Sequence, residues 1–221
     1  MPVARYKDLC IDAVAAEAAA RFWGELLGLH VERRLANVLL TGPTPRHTVW
    51  INEVREPTST KQRVHLDVFG AGTEWAAGLG ATLVEPFDRW SVFTDPEGGE
   101  FCLFTRETPL SYRAYELVVD CAEPEPIARW WADVFGAQVG HDDDDPWWWV
   151  EGIPGLPFET FVFVPVPEPK TVKNRIHWDV TTDSVEKLVD AGVTVLRAPG
   201  GDNSWTVLAD PDGNEFCAFT D

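Results

Sequence analysis

Lysine and arginine are scarce in this chain, 18 against 36 aspartates and glutamates, for a formal net charge of −18. A surface so short of positive charge repels a phosphate backbone or an anionic bilayer, so nucleic acid and membrane are excluded as partners. Cysteine is scarce too. Cys10, Cys102, Cys121 and Cys217 form no CxxC pair and read as reduced thiols. No apolar run approaches the roughly 18 residues of a membrane span. The opening MPVARYKDLC carries no apolar signal segment, and the expected location is the cytoplasm. A phosphate loop, a dinucleotide fingerprint and a Ser-His-Asp arrangement are also missing.

What the chain does have is a repeat. RVHLDV (63–68) and DPEGGEFCLF (95–104) in the first half return as RIHWDV (175–180) and DPDGNEFCAF (210–219) in the second. YKDLCIDAVAAEAAARFWGELLG (6–28) parallels AYELVVDCAEPEPIARWWADVFG (114–136), with Asp12 opposite Asp120 and Gly28 opposite Gly136. The chain reads as a tandem duplication with domains over 1–110 and 111–221. Each half reads as strand, helix and several strands, twice over. In the first half a strand over 8–12 precedes a helix over 14–27 that Gly28 ends. Strands are expected near 30–35, 37–41 and 48–54. A strand over 64–69, a short helix over 72–79, a strand over 82–85 and a hairpin joined by DPEGG follow.

Alternation assigns faces to these strands. Leu9 and Ile11, Val64, Leu66 and Val68, and Phe101 and Leu103 turn one way, onto the helices. Asp8, Cys10 and Asp12, His65 and Asp67, and Glu100 and Cys102 turn the other way. The second half repeats this with Glu116, Val118 and Asp120, His177 and Asp179, and Glu215 and Cys217.

The motifs HLDV with DPEGGEFCLF, and HWDV with DPDGNEFCAF, resemble the vicinal oxygen chelate superfamily in its glyoxalase-like branch. That superfamily includes glyoxalase I, bleomycin-resistance proteins and extradiol dioxygenases. The resemblance spans the whole chain and implies an α+β fold of tandem βαβββ units with cupped mixed sheets. By the same resemblance the metal ligands fall on Asp8, His65 and Glu100 in one cup, and on Glu116, His177 and Glu215 in the other. Glu100 and Glu215 are then also the candidate bases. Where the family usually has an opening-strand His, this chain has Asp8 and Glu116. At the family's fourth-strand Glu it offers Trp50 or Asn52, and Val162 or Val164. One His with two carboxylates suits iron, manganese, nickel or zinc in open coordination. The competing view pairs each His structurally with Asp67 or Asp179.

HDDDDPWWWV (141–150) occurs only in the second half. Asp142 to Asp145 read as an exposed hairpin tip, and Trp147 and Trp149 as one face of the next strand. With Trp50, Asp67 and Asp179, these tryptophans are candidate ligand contacts, because acid beside an aromatic platform suits a flat or cationic compound. The alternative is that the tryptophans seal the joint between the halves. The second cup is therefore expected to be the selective one. Phe22–Trp23 and Trp130–Trp131 are read as packing. Cys102 and Cys217 read as small buried residues on the polar face. Cys10 is set aside because its counterpart is Val118. The expected function is small-molecule binding in the manner of bleomycin-resistance proteins. The alternative is a metal-dependent lyase, isomerase or dioxygenase. The two halves are expected to form an internal pseudo-dimer, in a monomer or a homodimer.

Overall fold

The computed structural model describes residues 2–34, 37–201 and 203–220. Leu35, the end of the expected second strand, lies outside them. Four βαβββ units follow one another. The first is β1 (Ala4–Ala13), α1 (Ala16–Leu27), β2 (His30–Arg34), β3 (Asn37–Thr41) and β4 (Val49–Glu53). The second is β5 (Val64–Gly70), α2 (Thr73–Gly78), β6 (Thr82–Pro86), β7 (Ser91–Thr94) and β8 (Glu100–Thr105). The third is β9 (Ala114–Cys121), α3 (Pro124–Phe135), β10 (Gln138–His141), β11 (Trp148–Glu151) and β12 (Thr160–Pro165). The fourth is β13 (Ile176–Thr182), α4 (Val185–Asp190), β14 (Thr194–Arg197), β15 (Thr206–Ala209) and β16 (Glu215–Thr220). Among the described residues, no helix is long and apolar enough to cross a membrane.

The strands assemble into two mixed, eight-stranded sheets. One runs β14-β15-β16-β13-β1-β4-β3-β2, the other β10-β11-β12-β9-β5-β8-β7-β6. The halves therefore interdigitate, with the first and fourth units in one sheet and the second and third in the other. This corrects the grouping of candidate ligands. Asp8 shares its cup with His177 and Glu215, whereas Glu116 shares its cup with His65 and Glu100. The physical reason is plain. Alternation fixes the face a residue occupies, but all four units carry the same pattern, so it does not choose a partner strand.

The apolar faces of both sheets close on α1 and α3, which lie between them. From α1, Phe22 and Trp23 meet Phe101 of the other sheet with ring centroids 6.0 and 5.8 Å apart. From α3, Trp131 meets Phe161 of its own sheet and Trp178 and Phe216 of the other. The expected core residues Leu9, Ile11, Val64, Leu66, Val68, Phe101 and Leu103 are all buried in one cluster. Both long helices end on glycines in the left-handed region, Gly28 (φ 75°) and Gly136 (φ 61°), where a Cβ would be strained.

The N-terminus of α1 has no cap from its own side chains. Glu97, in the β7–β8 turn, supplies one from another unit. Its carboxylate accepts hydrogen bonds from the amides of Val14 (2.8 Å) and Ala15 (2.7 Å). A carboxylate there also faces the positive end of the helix dipole. Glu97→Ala is expected to lower stability by about 1–2 kcal/mol, and Glu97→Gln by less. Equal losses in chemical denaturation would assign the effect to charge alone.

Candidate functional site

Three neighbouring strands build the floor of the first cup. On β1, Cys10 stands opposite His177 of β13, and Asp8 stands opposite Asp179. Asp179 in turn stands opposite Cys217 of β16. On the other side of β1, Cys10 pairs with Trp50 and Asp12 with Asn52 of β4. A cavity of about 380 Å³ opens over this floor. Its walls include Trp50, Trp205, Val207 and Phe219, with Lys7, Lys173 and Arg197 around it. Trp205 stacks on Phe219 at 5.6 Å, and the Lys7 ammonium sits 4.5 Å from the Phe219 ring centre.

The polar groups of this floor are buried and strongly coupled. Asp12 faces His177 Nε2 at 3.5 Å and takes an ion pair from Lys173. Burial alone would raise its pKa, but His177 and Lys173 outweigh burial and hold the carboxyl down at about 2. Asp179 has no comparable partner, and burial pushes it up to about 6. The Cys10 thiol is driven well up by burial and by the Asp179 charge, and Cys217 rises to about 12 for the same reasons. Among the described residues, nothing hydrogen-bonds to the buried His177 Nδ1 and Asp179 Oδ1.

The second cup repeats the floor with differences. His65 Nε2 lies 3.4 Å from Asp67 Oδ1 and 3.6 Å from Cys102 Sγ. Burial opposes protonation of His65, but the Asp67 carboxylate outweighs it and the pKa is raised. Val118 takes the place of Cys10 opposite the histidine. Glu116 stands opposite Asp67 and accepts a hydrogen bond from Thr160 Oγ1 at 2.8 Å.

Two of the carboxylates that the resemblance implies as metal ligands, Glu215 and Asp8, are engaged by other groups of the first cup. Both Glu215 oxygens are engaged, one by Lys170 Nζ at 2.6 Å and the other by the Asn174 amide at 3.1 Å. Asp8 is held by Lys7 and by Trp50 Nε1 at 3.2 Å. Among the described residues, the groups of three whose donor atoms lie within 4.8 Å of one another are different ones. They are Cys10, His177 and Asp179 in the first cup, and His65, Asp67 and Cys102 in the second. Groups able to hold a metal thus exist in both cups, but they contain thiols and omit Glu100, Glu116 and Glu215.

The tryptophan run divides. Trp149 lies on the concave face of the second cup, across Gly140 on β10, where an added Cβ would run into its ring. Trp148 points the other way and stacks on His141 at 4.3 Å with the rings 4° from parallel. Arg129 of α3 lies 5.0 Å from the Trp148 ring. Trp147 precedes β11, and its carbonyl faces His141 Nδ1 at 3.1 Å. The acidic tip is a turn closed by the Asp145 amide on the Asp142 carbonyl. Of the candidate contacts, Trp50 and Asp179 line the first cavity. Trp149 and Asp67 belong to the other cup.

Lys7, Lys173, Arg197, Trp205 and Phe219 were not singled out in the sequence. Cys10 was set aside, although alternation already placed it between Asp8 and Asp12 on the polar face. Its uniqueness in the repeat was itself the available signal.

Paired βαβββ units that close two cups across the halves define a vicinal oxygen chelate fold. The family model of the glyoxalase-like domain matches residues 8–104 and again 116–219, and the chain belongs to that family. Glyoxalase I from Zea mays shares the fold at 14% identity and a TM-score of 0.70, covering 98% of this chain and 92% of that one. A Bacillus subtilis protein proposed to be a dioxygenase aligns at 11% identity and a TM-score of 0.65, over 100% of this chain and 86% of that one. No curated protein sequence matches.

Proposed function

We propose that this protein binds a small, flat aromatic molecule in its first cup. The supporting observation is the cavity of about 380 Å³ whose walls carry Trp50, Trp205 and Phe219 above a buried polar floor. That combination of aromatic walls and a few convergent polar groups is what a small-molecule site requires. Lys7 and Lys173 are paired with Asp8 and Asp12, which favours a neutral ligand in this cup, and Arg197 on its wall is the group that could meet a carboxylate. The more acidic second cup, with Trp149, Asp67 and Glu116, is where a cation would go. Binding without turnover, in the manner of a resistance protein, asks nothing further of the floor. The alternative is a glyoxalase-type lyase or isomerase, or an extradiol-type dioxygenase. It would require Glu215 to leave Lys170 and Asn174.

Planar aromatic compounds carrying carboxylate, neutral or ammonium groups test the assignment by tryptophan fluorescence. Saturation at one site per chain is expected, with carboxylates or neutral compounds preferred. Trp50→Ala and Trp205→Ala should each weaken binding about tenfold, or 1.4 kcal/mol. Trp149→Ala should leave it unchanged. Loss of binding in Trp149→Ala with Trp50→Ala unaffected would move the site to the second cup.

A further inference from the structure

We propose that the ligand of the first cup is a neutral aromatic glycoside, whose sugar lies in a second cavity where the chain crosses between the two sheets. This rests on the aromatic reading of the cup given above and adds the rest of the molecule. EPTSTKQR (56–63) and EPKTVKNR (168–175) belong to the connections that carry the chain from one sheet to the other, β4 to β5 and β12 to β13. They are copies of one motif, with Lys61 opposite Lys173 and Arg63 opposite Arg175. Residues of both crossings line a cavity of about 360 Å³, and Ser59, Thr60 and Val172 among them are exposed. Asp12 and Lys173 line this cavity and the cup alike, so the two spaces meet at the Lys173–Asp12 ion pair. Asp120, the counterpart of Asp12 in the second cup, is not among the walls. The crossover cavity therefore extends the first cup and not the second.

The charges of this cavity select the arm that enters it. Lys61, Arg63, Lys173 and Arg175 all line it, yet each already faces a carboxylate. Lys61 lies 3.1 Å from Asp120, and Lys173 is paired with Asp12. Arg63 lies 3.7 Å from Asp120, and Arg175 lies 3.9 Å from Glu97. An ionic arm would lose its hydration without finding a charge left uncompensated. A hydroxyl needs no net charge, because it donates to a carboxylate and accepts from an ammonium at once. Both lysine side chains are 55% exposed, which leaves donors free beside their carboxylates. Thr58, Ser59 and Thr60 add three consecutive hydroxyls. Val54 and Val172 give apolar wall for the C–H face of a sugar ring. A sugar joined to a flat ring thus matches the polar crossover and the aromatic cup together.

Calorimetry at pH 7 compares 2-naphthol with the neutral 2-naphthyl β-glucoside, β-galactoside and β-xyloside, and with the anionic β-glucuronide. At least one neutral glycoside is expected to bind about tenfold more tightly than 2-naphthol, at one site per chain. The glucuronide should bind no more tightly than the glucoside. Thr60→Trp fills the cavity from an exposed position. It should erase the advantage of the glycoside and leave 2-naphthol unchanged, with the circular dichroism of the wild type. Thr58→Val combined with Thr60→Val keeps the shape and should reduce that advantage about threefold or more. Trp50→Ala should weaken both probes.

Glycosides that bind no more tightly than 2-naphthol would overturn the proposal and leave the aromatic reading standing. An advantage that survives in Thr60→Trp would place the sugar elsewhere and overturn it as well. So would a glucuronide that binds about tenfold more tightly than the glucoside. Absence of binding by 2-naphthol and by every glycoside would remove the aromatic reading, and the sugar site with it.

Discussion

Trp131→Ala is expected to cost about 4–5 kcal/mol. Trp131 is fully buried on α3. Its ring lies 5.0 Å from Phe135, and 5.1 Å from both Trp178 and Phe216. Phe135 belongs to its own helix, but Trp178 and Phe216 belong to the opposite sheet. The ring therefore joins the two sheets as well as filling volume. Its indole N–H also donates to Asp210 Oδ2 at 3.1 Å. Asp210 staples the β15–β16 turn by accepting the amides of Asp212 and Asn214 at 3.0 and 2.8 Å. Truncation thus opens a cavity and removes a donor from a buried carboxylate at once. Stabilities of about 5–15 kcal/mol are usual, so such a loss leaves the fold marginal. Trp131→Phe keeps most of the ring contacts and should cost only about 1–2 kcal/mol. Urea denaturation followed by circular dichroism and by fluorescence measures both variants. A loss below about 2 kcal/mol for the alanine variant would show that the sheets are held together elsewhere.

Much of this was legible in the sequence because it depended on short periods and on turn chemistry. The alternation of Leu9 and Ile11 against Asp8, Cys10 and Asp12 separated core from cup. DPEGG and DPDGN marked the hairpins whose aspartates staple the backbone. The doubled motifs led to the glyoxalase-like fold. What was not legible depended on contacts distant in sequence. No local pattern says that β1 pairs with β13 rather than β5, since four equivalent units offer equivalent edges. For that reason Asp8 was grouped with His65 and Glu100 instead of with His177 and Glu215. Nothing near Glu215 announces Lys170, which lies on the connection between β12 and β13 and occupies the carboxylate. Strand alternation separates Trp148 from Trp149, and Trp148 packs on the far side against His141 and Arg129. Glu97 gave no sequence signal as a helix cap, because the helix it caps begins in another unit.

Glu116→Gln is expected to stabilise the protein at pH 8 by about 2 kcal/mol and to do almost nothing at pH 4.5. Burial is the main cause that pushes the Glu116 carboxyl up to about 7; Asp67 across the strand and Glu159 nearby add to it, and the Thr160 hydrogen bond opposes them. Unfolded, the same group titrates near 4.5. The folded state therefore binds the proton more tightly, and stability falls as pH rises from about 4.5 through about 7. Above that window the fold carries a poorly solvated charge. Gln keeps the shape and an acceptor for Thr160 but has no charge to desolvate. The full shift would correspond to about 3 kcal/mol, and partial exposure of Glu116 reduces the expected gain. Asp179 and Asp210, both raised to about 6, and His65, also raised, push the wild type in the same direction. They are present in both proteins and cancel in the difference. Asp12, held at about 2, acts only below pH 4, where its protonation destabilises the fold. The measurement is the difference in unfolding free energy between wild type and variant at half-unit steps from pH 4.5 to 8. A difference that grows with pH and levels off above 7 supports burial as the cause. A difference constant across that range would show that Glu116 meets solvent in both states, and a loss at pH 8 would show that its charge is used by a partner in the second cup.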